Sequence, residues 1–339
     1  AMKKETLVSI AERSGCSIST VSRVLSGNAA KYRISQRTVA RVTEEVKRCN
    51  YTPSLLAKGL RTNRTDTIGL LIPNIENSFF SGVAGVVIRE SRNYNYKVVV
   101  VDTQEDERNE QDGLSALLAR RVDGIVAAPC GSNSELFASV QEGGMPLVLI
   151  DRYLPDAGML SYVTTDNYRG AVMATEYLLE NGHRRIGFLG SISSTSSIQD
   201  RYLGYYKALL ENRIPLRQDW VIADRSNESD IFPEFTLPND MPTAFVCNCD
   251  ETAYKLVNQL KAAGYSIPDD ISVVGYDNHI YSTICNPRLT TIDVNSRVMS
   301  TEAVDIILHK IRDGNYRRGR TLVTGKLVRR GSVKNLNEA

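Results

Sequence analysis

Two periodicities divide the chain. Up to about residue 50 the apolar positions recur every three or four residues; from Thr67 onward short Val/Ile/Leu runs alternate with stretches of helical spacing. In TLVSIAERSGCSISTVSRVL, residues 6–25, Leu7, Ile10 and Ala11 fall on one helical face, and Val21, Val24 and Leu25 form a second inward set. Gly15 interrupts the pattern where a left-handed turn is needed, a conformation glycine adopts without steric cost. Ser17 predicts the N-cap of the second helix, and Ser35 that of a third, which carries Val39, Val42 and Val46 inward as far as Cys49. Ala11, Gly15 and Val21 occupy helix-turn-helix offsets: a small residue where helices touch, a glycine in the turn, an apolar anchor beyond.

The connector NYTPSLLAKGLRTNRTD, residues 50–66, predicts a short helix opened by Pro53 and Ser54, with Leu55, Leu56 and Leu60 projecting from it. So short a helix is unstable alone in water, because nucleation is costly. It needs a partner. Beyond it, strands are predicted at Ile68–Ile72, Lys97–Val101, Gly124–Ala128, Leu147–Ile150, Ile186–Leu189, Ala244–Val246 and Ile271–Tyr276. Helices are predicted at 79–93, 107–121, 167–181, 202–211 and 250–263. Apolar strands alternating with amphipathic helices mean parallel sheets covered on both faces. A break near Thr164–Asp166 splits them into two subdomains facing a cleft. Ligands sit beyond the carboxyl ends of such strands, which marks 73–80, 129–133, 151–153, 190–201, 247–251 and 277–281.

Composition changes this picture in one respect. The 339 residues carry a net charge of only +2, with ordinary hydrophobic (42%) and charged (24%) fractions. Yet residues 1–65 hold 13 Lys+Arg against 4 Asp+Glu, a net of +9, which leaves −7 on the remainder. A basic segment on a mildly acidic body suggests a polyanion-binding module, on the same residues as the helix-turn-helix. No apolar run reaches membrane-spanning length and no secretion signal opens the chain, so a cytoplasmic protein is expected. The six cysteines are scattered and read as reduced thiols; Cys247 and Cys249 lack the further ligands of a zinc site. Three histidines (183, 279, 309) form no nucleophile–base pattern, and no phosphate-cradling glycine loop occurs. Neither an enzyme nor a cofactor or metal is expected. His183, after Gly182 at a helix end, reads as a carbonyl cap.

Across essentially the whole chain the order of motifs resembles the LacI/GalR (lactose-repressor-like) family of transcription regulators. The motifs are SISTVSRVLSG, NYTPSLLAKGLRTNRTDTIGLLIPNIENSFF, GHRRIGFLG, DRYLGYYKAL, SVVGYDN, LTTID and LVRRGS. The resemblance implies an all-α helix-turn-helix head and a hinge helix, joined to a periplasmic-binding-protein-like α/β body of two doubly wound parallel-sheet subdomains. It divides the chain into a head (1–50), a hinge and linker (51–66) and a body (67–339). The N-subdomain would comprise about 67–165 plus 293–321, and the C-subdomain about 166–292 plus 322–339. A homodimer on a near-palindromic double-stranded operator is implied, and a repressor is expected.

Residue by residue, Ile18, Ser19 and Arg23 match base-reading positions, and Thr6, Ser17, Thr20 and Ser22 match phosphate-contacting ones. Arginine suits a bidentate contact to guanine, whereas Ile18 offers only an apolar contact. The loop 26–34 looks about three residues longer than in well-known relatives. Leu60 matches the leucine that wedges into the minor groove, with Ala57 permitting close approach of two hinge helices and Lys58 lying near phosphate. In the body, Arg201 and Asp277 match positions that bind sugar hydroxyls, and Asp250, beside Cys249, a further cleft position. Asn77, Phe79, Phe80, Arg152 and Tyr153 lie at strand carboxyl ends, where an aromatic can stack on a sugar ring. Phe232 or Phe235 could supply another cleft aromatic, whereas Trp220 reads as structural. The implied effector is a sugar or sugar derivative, and its binding would shift the subdomains and the paired hinges. A solute-binding protein without a gene-regulatory role is the alternative, but it leaves residues 1–66 without a purpose.

Overall fold

The computed structural model describes residues 5–51, 64–155, 160–190, 195–222, 235–313 and 319–338. The expected hinge helix, with Ala57, Lys58 and Leu60, lies outside the described residues, as does Phe232. The chain forms two compact units, Ala1–Thr65 and Asp66–Ala339.

Among its described residues the first unit forms three helices: α1 (Leu7–Ser14), α2 (Ile18–Leu25) and α3 (Gln36–Arg48). Each starts on a hydroxyl that accepts an otherwise unpaired backbone N–H. Thr6 accepts from Ser9, Ser17 from Thr20 and Ser35 from Thr38, and Ser9 returns the bond to Thr6 in a capping box. Gly15 ends α1 in the left-handed region (φ 59°), its N–H meeting the carbonyls of Ala11 and Glu12. The core between the helices is small: Ile10, Ala11, Val21, Val42 and Tyr51.

In the second unit two six-stranded sheets follow one another along the chain, until the last strand but one returns to the first sheet and the last strand to the second. The first contains β1 (Thr67–Ile72), β2 (Lys97–Asp102), β3 (Gly124–Ala127), β4 (Leu147–Ile150), β5 (Tyr162–Thr165) and β11 (Arg320–Val323), in the order β11-β5-β4-β3-β1-β2. All its described pairings are parallel. The second contains β6 (Ile186–Leu189), β7 (Val221–Ile222), β8 (Ala244–Cys247), β9 (Ser272–Tyr276), β10 (Thr290–Asp293) and β12 (Lys326–Val328), in the order β12-β10-β9-β8-β6-β7. It is parallel except for β12, which runs against β10. The helices α4 (Ser78–Asn93), α5 (Glu107–Ala119), α6 (Ser134–Glu142), α7 (Asn167–Glu180), α8 (Ser196–Glu211), α9 (Asp250–Ala262) and α10 (Ser296–Asp313) cover them. The chain crosses between sheets after β5, after β10 and between β11 and β12. The last two crossings follow Asp293 and Val323, a residue or two beyond the expected boundaries at 293 and 322.

The seven apolar strands expected from sequence are present to within one residue at each end. Five others carry no such signal. β5 (YVTT) and β10 (TTID) are rich in threonines that are buried yet bonded: Thr164 Oγ1 donates to Asp151 O, and Thr165 Oγ1 to Val294 O. A polar strand with local hydrogen-bond partners lacks the apolar run by which buried strands are read. α8 begins at Ser196, six residues before the expected start at 202, because a serine-rich first turn hides its periodicity. The helices α6 and α10 are likewise additional to expectation.

Candidate nucleic-acid interface and ligand cleft

On the head, α2 turns Val21 fully inward and leaves Ile18 49% exposed, with Ser19 and Arg23 also exposed one turn apart. Ser17 Oγ, while capping the helix, lies 2.9 Å from both Ser19 Oγ and Thr20 Oγ1. Ser19 and Thr20 are thus held at the N-terminal turn, which carries partial positive charge and suits phosphate. Thr6 does the same for α1. Arg23 has a partner that sequence could not assign: its guanidinium stacks 4.0 Å over the Tyr32 ring. The long loop 26–34 is ordered by its own turns, with Asn28 N–H bonded to Arg23 O and Ile34 N–H to Ala29 O. A guanidinium resting on an aromatic face keeps its donors free at the edge while losing rotamer freedom in advance.

In the body, the carboxyl ends of the strands converge on a cavity of about 170 Å³. Asn77, Phe79, Phe80, Arg152, Arg201 and Asp277 all line it. Asn248, Cys249, Ser197, Asp151, Glu105 and Asn74 complete much of the wall. Of these, Asn74, Asp151, Ser197 and Asn248 fall in segments marked by strand position, although no motif singles them out. Glu105 follows β2, a segment not marked.

Arg201 is the organising cation. It is 6% exposed, lies 3.9 Å above the Tyr276 ring, and donates from Nε to Asn167 Oδ1 at 2.8 Å and from Nη1 to Asn248 O. Tyr276 can lie there because Gly170 faces it; a Cβ at that position would overlap the tyrosine hydroxyl. Arg201 Nη2 is 3.4 Å from Asp277 Oδ1, a charge contact outside hydrogen-bond geometry. Asp277 Oδ1 is buried and has no hydrogen-bond partner among the described residues. Its backbone holds φ at 110°, uncommon for a residue with a Cβ. Burial pushes its carboxyl up to about 7 despite Arg201. A buried acceptor left without a hydrogen bond has capacity for one more donor placed in the cavity.

Arg152 is fixed differently, by both oxygens of Glu105 (Nη1 to Oε2 at 2.7 Å) and by Pro129 O. Phe79 and Phe80 pack edge-to-face at 5.0 Å within the apolar core, so only part of each ring can meet a ligand. Tyr153 stacks on Tyr162 at 4.9 Å and donates its hydroxyl to Asp200.

Asp250 is corrected by the structure. Its carboxylate is wholly buried behind the cavity, accepting from Thr291 Oγ1 at 2.5 Å and from His279 N at 2.8 Å. Burial, with Asp277 nearby, raises it to about 7. It braces the β8 and β9 ends, and its neighbours Cys249 and Asn248 face the cavity instead. Phe235 is buried in the core of the second sheet, and Trp220 is structural, its indole donating to Asp240 O. His183 bonds Thr243 Oγ1 and Lys334 O, tying in the C-terminal segment rather than capping its own helix with the side chain.

Glu251 and His279 bridge the subdomains. Asn77 Nδ2 donates to Glu251 Oε2 at 3.0 Å, Ser78 Oγ lies 3.4 Å from Oε1, and Ser78 Oγ pairs with His279 Nδ1 at 2.8 Å. Glu251 thereby places a negative charge at the N-terminus of the facing helix α4, where it is favoured. Glu251→Ala should loosen this closure, because charged hydrogen bonds contribute about 1.5–3 kcal/mol. Small-angle scattering of the ligand-free chain should then report a wider radius of gyration; an unchanged profile would deny Glu251 this role.

The comparisons with known proteins agree with this division of labour. Residues 6–54 match the bacterial regulatory proteins of the lacI family, and residues 175–333 match the periplasmic binding protein-like domain. The HTH-type transcriptional repressor PurR of Photobacterium profundum is 31% identical over 336 residues, covering 98% of this chain and 99% of the relative. This chain belongs to the LacI family. PurR of Vibrio campbellii is also 31% identical, over 337 residues, with 98% and 99% coverage. The crystal structure of the lac repressor dimer bound to operator and the anti-inducer ONPF superposes with a TM-score of 0.83 at 25% identity, covering 98% of this chain and 100% of that one. As a LacI-family member the chain is a DNA-binding transcriptional regulator with a small-molecule effector site in its body, not an enzyme. No helix among the described residues is long and apolar enough to cross a membrane.

Proposed function

We propose that this LacI-family chain represses transcription from a near-palindromic operator as a cytoplasmic homodimer, and that an uncharged carbohydrate in the cleft sets its operator affinity. Ile18, Ser19 and Arg23 would read bases, with Thr6, Ser17, Thr20 and Ser22 on phosphates. Ala57, Lys58 and Leu60 would act at the operator centre.

The observation that carries the effector class is the pairing of both cations among the described residues of the cavity wall. Arg152 is engaged by Glu105, and Arg201 by Asn167, Asn248 O and the Asp277 charge. Three carboxylates, Glu105, Asp151 and Asp277, line the cavity with these two arginines. A phosphate or carboxylate ligand would meet excess negative charge in a poorly solvated site, which is costly. The unsatisfied acceptors Asp277 Oδ1 and Asn248 Oδ1 instead ask for hydroxyl donors. Dimerisation is supported by Ile280 (68% exposed), Tyr281 and Ile284 (72%), three large apolar side chains displayed within five residues.

A gel shift with genomic operator fragments at two salt concentrations tests the regulator reading. Binding should weaken steeply with salt, as counterion release requires. A thermal-shift screen of the full chain tests the effector: neutral sugars should raise the melting temperature and their phosphates should not. Stabilisation by phosphates alone would reverse the charge argument.

A further inference from the structure

Arg23 and Tyr32 are joined twice. Their side chains stack, and their backbones belong to one hydrogen-bonded frame: Tyr32 N donates to Asn28 O at 3.2 Å, and Asn28 N donates to Arg23 O at 2.9 Å. Gly27 (φ 71°) and Arg33 (φ 54°) turn the chain on either side of that frame through the left-handed region. The ring is therefore carried to the end of α2 by the turns of the loop itself. Burial does not place it there. Tyr32 is 46% exposed and is not among the side chains that build the apolar core of the head.

The way the other guanidinium groups of the head are held gives the exposed ring a purpose. Arg13 donates to Glu5 Oε1 at 2.8 Å, Arg48 to Glu45 Oε2 at 2.9 Å and Arg41 to Cys16 Sγ at 3.1 Å. Each of these arginines engages an N–H donor on its partner. Arg23 is held instead by a π face, which attracts the cation and takes none of its five N–H donors. Bidentate recognition of the O6 and N7 edge of guanine uses two of those donors, parallel and unoccupied. A long side chain also loses rotamer freedom when it binds, and a ring that restricts it beforehand lowers that cost.

We propose that Tyr32 is a positioning residue for base reading: it holds the Arg23 fork ready for one guanine edge and so sets discrimination at one base pair of each half-site. This rests on the reading of Arg23 as a base-contacting residue. The consequence is selective. Loss of the ring should weaken binding only where there is a guanine to read.

Selection of bound sequences from a randomised duplex library by the full-length chain, wild type and Arg23→Ala, tests it first. The base pair whose preference disappears in Arg23→Ala is the one Arg23 reads. Gel shifts then compare the selected duplex with the same duplex carrying A·T at that pair in both half-sites. Tyr32→Ala, an exposed substitution that costs the fold little, should weaken the selected duplex by about two- to five-fold per half-site, as an exposed cation–π contact is worth. It should leave affinity for the replaced duplex unchanged. Tyr32→Phe keeps the ring and should match the wild type on both duplexes. Added to Arg23→Ala, Tyr32→Ala should have no further effect.

Equal loss on both duplexes would overturn the proposal, because Tyr32 would then be a general DNA contact or a support of the fold. Unchanged affinity in Tyr32→Ala overturns it too. So does a Tyr32→Phe variant as weak as Tyr32→Ala, which would assign the effect to the hydroxyl. If Arg23→Ala alters no base preference, the base-reading role of Arg23 itself fails, and this inference with it.

Discussion

Asp277→Asn should lower effector affinity about 100-fold while leaving ligand-free operator binding intact, since hydrogen bonds to charged groups contribute about 1.5–3 kcal/mol each. Asparagine is the informative substitute. It keeps the shape of the side chain and tolerates the positive φ at this position, so the backbone between β9 and the Ile280–Thr283 turn need not move. What it removes is a buried acceptor charge aimed into the cavity beside Arg201. Protonation should mimic the substitution. Burial holds the carboxyl near 7, so the ionised acceptor is present above that pH and lost below it. Effector affinity should therefore fall as pH drops from 8 to 6, by up to about ten-fold per unit below the midpoint. Asp250 titrates in the same range but is turned away from the ligand and bonded to Thr291 and His279 N. The diagnostic result is a calorimetric pH profile that flattens in Asp277→Asn. A profile equally steep in the variant would show that another group governs the dependence.

The second large effect belongs to the head. Val21→Asp should abolish operator binding in a gel shift while effector binding and the main thermal transition of the body persist. Val21 is fully buried, in a core whose buried side chains among the described residues are otherwise Ile10, Ala11, Val42 and Tyr51. A carboxylate placed there finds no partner and costs several kcal/mol, on the order of the whole stability of so small a domain. The cores of the body, the largest of which draws on both sheets, share none of these residues. Retained DNA binding would mean that α2 is not anchored through Val21. Loss of body stability would mean that the two units do not fold independently.

How far the site was legible in the sequence follows from which physical signal each residue carries. Helix ends were readable because a hydroxyl cap acts within three residues: Ser17 and Ser35 accept from Thr20 and Thr38 as their spacing predicts. Apolar strands were readable because burial on both faces demands continuous Val, Ile and Leu. β5 and β10 were not, since their threonines satisfy themselves on Asp151 O, Val294 O and Asp250, partners distant in sequence. Arg201 and Asp277 were identifiable through motif resemblance. Their tie to Asn167 and Asn248 O was not, because those contacts span 34 and 47 residues. The misassignment of Asp250 has the same origin. A carboxylate at the start of a helix reads as cleft-facing until Thr291 and the His279 amide are brought against it.

By itself, then, the sequence determined the head's helix-turn-helix, the charge contrast between head and body, the parallel α/β architecture and the set of loops that meet at the cleft. These follow from local spacing and from burial, both written along the chain. Tertiary structure alone decided which carboxylate lines the cavity, that Tyr32 supports Arg23, and that Glu251 and His279 reach across to Asn77 and Ser78. Each of these depends on the direction of a side chain relative to a distant segment. That direction is set by packing, and no local pattern encodes it.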